Sequence, residues 1–264
     1  MMKSLLDTAI AAALAAGDAI EHMRRDVATV DISSKADGSP VTRADRTAHG
    51  MIASALANAT PDLPLLSEES QAAPYAERRA WRRFWMIDPL DGTKEFIRGS
   101  DEFTVNIALI DGGTPILGVV YAPAQGLLYY GARELGAYVR QRGAQQAIAV
   151  QDYVTAPMRI AASRSHRDPA TEALIQAIPH AQCVAIGSSL KLCKVADGGA
   201  HLYPRLAPTM EWDIAAGHAV VAAAGGTVVT PAGAVLQYNK PDLHIPSFVA
   251  GGKQTLRDLG YSAQ

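Results

Sequence analysis

The stretch Trp85-Met86-Ile87-Asp88-Pro89-Leu90-Asp91-Gly92-Thr93 closes a short apolar run with two carboxylates three residues apart. Ionised carboxylates that close repel one another unless something positive lies between them. Trp85 to Ile87 reads as a buried strand, which puts Asp88 at its end. Pro89 stiffens the turn and removes a backbone donor, and Gly92 permits a close backbone approach. Asp91 then points back into the space that Asp88 faces. Hard divalent cations such as Mg²⁺ select carboxylate and carbonyl oxygens, so two acids on a stiff loop suit them. An Asx-turn with a helix cap at Thr93 explains the same letters without an ion.

Two further acidic places bear on that choice. Glu68 and Glu69 follow the strand-like run Leu63 to Leu66, where a solvated helix start is the plain alternative. Asp213 opens an almost uncharged helix beside Trp212, where a capping aspartate is the plain alternative. Each acidic place sits where a strand ends or a helix begins. Together they can supply one oxygen-rich metal site.

The rest of the chain reads as an α/β protein. Leu6, Ile10, Leu14, Gly17 and Ile20 recur near helical spacing, with Asp7, Asp18, His22 and Arg25 opposite, so the N-terminus is an amphipathic helix. It is not a signal peptide, because the apolar run Ile10 to Ala16 is short and flanked by acids. No stretch approaches the roughly 20 apolar residues of a membrane span. A second helix is expected over 41–58. Strands are expected at Phe84–Ile87, Thr104–Ile110, Leu117–Tyr121, Leu127–Tyr130 and Ala137–Val139, separated by Gly and Pro as in an antiparallel meander. From Met158 the pattern alternates. Strands are expected at Met158–Ala162, Val184–Ile186, His201–Tyr203 and Thr227–Thr230, and helices at Pro169–Ile178, Ser189–Ala196 and Trp212–Ala224. Helices layered on a sheet follow from that alternation. A chain of 264 residues can form one large domain of coupled parts, 1–155 and 156–264, with the boundary near 155. Its net charge of −2 argues against a general nucleic-acid or membrane-surface binder. Cys183 and Cys193, ten apart, make neither a disulfide framework nor a zinc site and read as buried thiols.

The blocks Ser-Glu-Glu-Ser (67–70), WMIDPLDGTKEF (85–96) and WDIAAGHAVVAAAGG (212–226) resemble the three signatures of the inositol monophosphatase-like family of Mg²⁺-dependent, lithium-sensitive phosphatases. With SKADGSPVTRAD (34–45) and IGSSLKLCKVADGGAHLYPR (186–205), the resemblance narrows to its bacterial 3′(2′),5′-bisphosphate nucleotidases and covers nearly the whole chain. The resemblance implies a layered αβαβα sandwich of the inositol monophosphatase/fructose-1,6-bisphosphatase type. It implies that Glu68, Asp88, Asp91, Asp213 and the Leu90 carbonyl bind two or three Mg²⁺ ions. Gly92 and Thr93 would cradle the scissile phosphate through backbone N–H groups. Asp45 would pair with the Thr93 hydroxyl to orient and deprotonate the attacking water, with Glu69 assisting from behind the ligands. His166, Ser188, Lys191 and Arg205 would hold the nucleotide, the last two gripping a second phosphate. The expected reaction is hydrolysis of the 3′-phosphate of adenosine 3′,5′-bisphosphate by direct attack of water, with 3′-phosphoadenylyl sulfate as a further candidate substrate.

The resemblance also implies a role in sulfur metabolism, a cytoplasmic location and weak attachment to the inner membrane. It implies a small-molecule nucleotide as partner, with no nucleic acid and no stable protein partner. An inositol or histidinol monophosphatase of the same family would share the metal site and differ around 186–205. A nucleotide or phosphate sensor without turnover is the non-enzymatic alternative. A haloacid-dehalogenase phosphatase would place its nucleophile two residues before the second Asp, whereas the gap here is three and no later GDxxxD follows. His218, on the apolar helix after Asp213, reads as packed rather than catalytic.

Overall fold

The computed structural model describes residues 1–25, 32–34, 40–152, 157–163 and 168–261. The first half runs α1 (Met2–Arg25), β1 (Ile32–Ser34), β2 (Pro40–Thr42), α2 (Arg43–Ala59), β3 (Leu65–Ser67), α3 (Tyr75–Arg78), β4 (Arg83–Asp91), α4 (Thr93–Ile97) and then β5 (Thr104–Asp111), β6 (Thr114–Ala122), β7 (Leu127–Ala132), β8 (Gly136–Gln141) and β9 (Ala144–Ile148). The second half runs β10 (Arg159–Ala162), α5 (Pro169–Ala177), β11 (Gln182–Ala185), α6 (Leu190–Ala196), β12 (Leu202–Arg205), β13 (Thr209–Met210), α7 (Glu211–Ala223), β14 (Thr227–Val229), β15 (His244–Ile245), β16 (Phe248–Gly251) and α8 (Lys253–Asp258).

Among the described residues, β3 to β9 form a seven-stranded sheet in chain order. β3 pairs parallel with β4, and the remaining neighbours are antiparallel, which is the expected meander lengthened by β3 and β9. A five-stranded sheet has the order β11-β10-β12-β16-β14. Alternation along β4 sorts its side chains. Trp85 and Ile87 face α1 and α2, while Phe84 and Met86 face α6 and α7. Both faces of the large sheet are covered, so its strands read as continuous apolar runs. The other side of the α6–α7 layer packs on Ala161, Tyr203, Phe248 and Ala250 of the small sheet. The outer face of that sheet carries Ile175 of α5 and Leu256 of α8. The layers are therefore helix, sheet, helix, sheet, helix, the sandwich expected above.

Two local readings change. Leu6, Gly17 and Ile20 of α1 are buried, but Ala9, Ala12, Ala13 and Ala16 complete the buried face while Ile10 and Leu14 stay partly exposed. Small residues win because α1 lies close on β6; a Cβ on Gly17 would stand 2.3 Å from the Tyr121 ring. Cys183 is exposed near the start of β11, an outer strand of the small sheet, and only Cys193 is buried. His166 lies outside the described residues. No helix of the described residues is long and apolar enough to cross a membrane.

Candidate metal and phosphate site

β4 carries its acids to the central layer. Asp88 follows Phe84 and Met86 on the face toward α6 and α7, and the pairing register shifts between Asp88 and Asp91. That irregularity lets Asp88 accept the Leu90 N–H at 3.0 Å within the turn. Glu68 follows β3, whose parallel register sets Ser67 beside Ile87. Asp213 lies in the first turn of α7 and accepts the Met210 N–H at 3.0 Å, with the Thr209 hydroxyl also on it. Both the capping role and the cluster role are thus met by one side chain. Glu68, Asp88 and Asp213 each bring one carboxylate oxygen to within 4.8 Å of the others.

Asp88 is 1% exposed. Burial, then the charges of Glu68, Asp91 and Asp213, hold its carboxyl well above the usual carboxylate range. Burial and the Asp91 charge push Asp213 up to about 7. A cation bound among these acids would offset the burial and the repulsion that raise Asp88 and Asp213. The donors are all hard oxygens, so the trio fits a divalent ion such as Mg²⁺. Asp91 stands just outside the trio. Its Oδ2 accepts the Ser189 N–H at 2.7 Å and the Ser188 hydroxyl at 2.5 Å, which draws it toward the start of α6. Glu69 is partly exposed, and its backbone N–H donates to the Ser67 hydroxyl at 3.2 Å.

Asp45 is fixed by the helix it begins. Thr42 caps α2, and Asp45 Oδ2 accepts the Thr42 N–H at 2.7 Å, closing a capping box. The other oxygen, Oδ1, accepts the Thr93 hydroxyl at 3.0 Å. The Leu90 carbonyl lies 3.3 Å from the same hydroxyl. Gly92, at φ +95°, precedes Thr93 at the head of α4, and a Cβ there would come within 3.1 Å of the Glu102 carbonyl. Only glycine suits that turn. Asp45 and Thr93 are thus hydrogen-bonded to each other, and the Leu90 carbonyl lies beside them.

Beside this acidic edge lies a cavity lined by Asp91, Gly92, Ser188, Lys191, Tyr203, Arg205 and Asp213, among others. Lys191 is only 5% exposed; its ammonium donates to the Ser188 carbonyl at 2.6 Å and lies 5.6 Å from the centre of the Tyr203 ring. Arg205 ends β12 and donates from Nη2 to the Pro208 carbonyl at 3.2 Å, while its buried Nε has no partner among the described residues. Ser188 adopts φ +52° and spends its hydroxyl on Asp91, so it faces the acids as well as the cavity. His218 is buried, with Nδ1 2.8 Å from the Tyr238 hydroxyl, and is packed as expected.

Ser189, which the GSSLK segment offers beside Ser188 and Lys191 as a nucleotide contact, instead meets Asp91 and the Asp213 carbonyl, and Thr104 and Asn106 are site neighbours that the sequence reading does not single out. Thr104 and Asn106 sit opposite Asp91 and Asp88 in the β4–β5 register. The available signal was a polar residue, Asn106, inside the apolar run Val105 to Ile110.

Residues 1–261 match the model of the inositol monophosphatase family. The 3′(2′),5′-bisphosphate nucleotidase CysQ of Escherichia coli (strain K12) is 49% identical over 234 residues, covering 89% of this chain and 94% of that protein. The crystal structure of CysQ from Bacteroides thetaiotaomicron superposes with a TM-score of 0.83 at 41% identity, covering 95% of this chain and 97% of that one. The inositol monophosphatase of Anabaena (Nostoc) sp. PCC 7120 superposes with a TM-score of 0.78 at 26% identity, covering 98% and 94%. Signature acids, layered sandwich and a match along nearly its whole length agree: the chain belongs to the inositol monophosphatase family.

Proposed function

We propose that this chain is a Mg²⁺-dependent 3′(2′),5′-bisphosphate nucleotidase that converts adenosine 3′,5′-bisphosphate to AMP and phosphate, with 3′-phosphoadenylyl sulfate as a further candidate substrate. One observation carries the reading. The cavity is lined by Asp213 of the carboxylate trio and by Asp91, together with two cations, the buried Lys191 and the partly buried Arg205. A guanidinium whose buried Nε lacks a partner among the described residues suits an incoming anion. A substrate with two phosphates suits such a pocket, one beside the acids and their metal and one on the cations. The 49% identity to a protein named for this activity supports the same substrate class.

Glu68, Asp88 and Asp213, with Asp91 and the Leu90 carbonyl, would hold two or three Mg²⁺ ions. Bound Mg²⁺ would supply neutralisation of the phosphoryl oxygens and a lowered pKa for water. Gly92 and Thr93 would receive the scissile phosphate on backbone N–H groups. The Thr93 hydroxyl orients the attacking water and accepts its proton while passing its own to Asp45 Oδ1. Lys191 and Arg205 bind the phosphate that does not react, and Ser188 and His166 border the nucleotide. Glu69 acts from behind the ligand acids. The expected setting is the cytoplasm, including the inner face of the membrane, in sulfur metabolism.

The test is phosphate release from adenosine 3′,5′-bisphosphate, 3′-AMP, histidinol phosphate and inositol 1-phosphate, with Mg²⁺, with chelator and with Li⁺. The bisphosphate should lead the panel, activity should vanish with chelator and return with Mg²⁺, and Li⁺ should inhibit. A charge-assisted contact is worth about 1.5–3 kcal/mol. Lys191→Ala and Arg205→Ala should therefore each lower kcat/KM on the bisphosphate roughly tenfold to a hundredfold while hardly changing 3′-AMP. Equal losses on both substrates would remove the second phosphate from this pocket. Preference for inositol 1-phosphate would replace the substrate assignment.

A further inference from the structure

We infer that Ser189, held by Asn106, is a positioning residue that ties the acids of the two halves into one metal site; the inference rests on the metal reading above. Asp91 comes from β4 and Asp213 from α7, which are 122 residues apart in the chain. Only packing fixes the distance between them, unless something touches both. Ser189 does. Its backbone N–H donates to Asp91 Oδ2 at 2.7 Å. Its hydroxyl oxygen lies 2.6 Å from the Asp213 carbonyl and 2.8 Å from Asp91 Oδ2.

A serine hydroxyl has one proton, so the two contacts compete for it. The N–H and the Ser188 hydroxyl already serve Asp91 Oδ2. The Ser189 proton is therefore needed at the Asp213 carbonyl, which is also its shorter contact. The remaining acceptor capacity of the hydroxyl takes the Asn106 amide, whose Nδ2 donates at 2.8 Å. Asn106 is buried and stands opposite Asp88 in the sheet register. Its Oδ1 is buried without a partner among the described residues. A buried amide that keeps only one contact, to Ser189, acts as a stay for that hydroxyl rather than as a hub of its own.

Mg²⁺ demands near-ideal octahedral geometry, so a small drift between ligands costs it more than a tolerant ion such as Ca²⁺. Groups that orient metal ligands typically change affinity or activity roughly ten- to a hundredfold when lost. Ser189→Ala keeps the N–H to Asp91 and deletes the link to Asp213. It should weaken Mg²⁺ and Mn²⁺ binding by roughly tenfold and leave KM for the bisphosphate at saturating Mg²⁺ within about twofold. Ser189→Thr, which keeps the hydroxyl, should restore most of the affinity.

Bind Mn²⁺ to the intact protein without substrate and follow free Mn²⁺ by electron paramagnetic resonance, with Mg²⁺ competition, for wild type, Ser189→Ala, Ser189→Thr and Asn106→Ala. Asn106→Ala leaves both acid contacts in place and reports on the stay if Ser189→Ala does not fold; it should weaken Mn²⁺ in the same direction by a smaller factor. Unchanged Mn²⁺ and Mg²⁺ affinity in folded Ser189→Ala would overturn the inference while leaving the metal site standing, as would unchanged affinity in Asn106→Ala should Ser189→Ala not fold. A wild type that binds no Mn²⁺ would overturn the metal reading and this inference with it.

Discussion

Asp45 divides its two oxygens between two tasks: Oδ2 closes the start of α2, and Oδ1 receives the Thr93 hydroxyl. Its burial follows from the first task, and the second exploits it. Asp45→Asn can still accept from Thr42 with its remaining oxygen. Its amide nitrogen would then point at Thr93 as a donor, so the proton of the attacking water loses its destination. Helix capping should survive with a loss of about 1 kcal/mol or less. The rate should fall by roughly 10²-fold or more, the usual span for a lost general base. Thr93→Ala should fall similarly, and the double variant should be little worse than either single one, because both act on one water. The check is a double-mutant cycle on kcat/KM with Tm and Mn²⁺ affinity measured alongside. Fully additive losses would refute a shared water, and a trapped phosphoenzyme would refute direct attack.

α7 is the element on which the site depends most, since it bears Asp213 and lies between both sheets. Its apolar character on every side follows from that burial. Contact with β6 is close: a Cβ on Gly118 would stand 2.1 Å from the Ala216 carbonyl and 2.9 Å from Ala219 Cβ. Gly118→Ala must therefore shift α7 and carry Asp213 with it. Overpacking of this kind costs about 1–3 kcal/mol, or roughly 3–10 °C in Tm at this chain length. Metal affinity should fall too. Gly50→Ala on α2 meets nothing within 4 Å and should hold or raise Tm. A Gly118→Ala protein with unchanged Tm would contradict the packing. The elements were legible where the apolar pattern was long: β5, β7, β8 and α7 fall close to their expected bounds, whereas β4 runs on to Asp91 instead of ending at Ile87 and β6 begins three residues early, at Thr114. β16 is four residues between Gly- and Pro-rich turns, too short to show a period, yet it joins β12 to β14 inside the small sheet. The acids were legible because few other roles bring so many carboxylates to strand ends and helix starts. The linking role of Ser189 was not, since a hydroxyl reveals its partners only once α6 and α7 are packed.

The whole molecule is held by a central helical layer shared between two sheets, so a buried titratable group in that layer bears on global stability. His218 of α7 is such a group. Burial lowers its pKa from 6.5 to about 4, and the Tyr238 hydroxyl is its neighbour at 2.8 Å. The sign follows from proton counts. Between these two values the unfolded chain binds the proton and the folded chain does not, so stability falls as pH falls from about 6.5 toward 4. The shift corresponds to about 3 kcal/mol across that window. Asp88 and Asp213, whose carboxyls are raised, act in the opposite sense in metal-free protein. A comparison of variants removes them. His218→Asn shares every carboxylate with the wild type but has no ring to protonate. At pH 7.5 it should be the less stable protein, because it loses packing volume and the ring contact with Tyr238. As pH falls to 4.5 the wild type should lose ground, and the gap should narrow by about 1–3 kcal/mol or reverse. Urea unfolding of both proteins from pH 4.5 to 8, in chelator, measures the gap directly. A gap that stays constant across that range would mean that His218 is not held neutral in the folded layer.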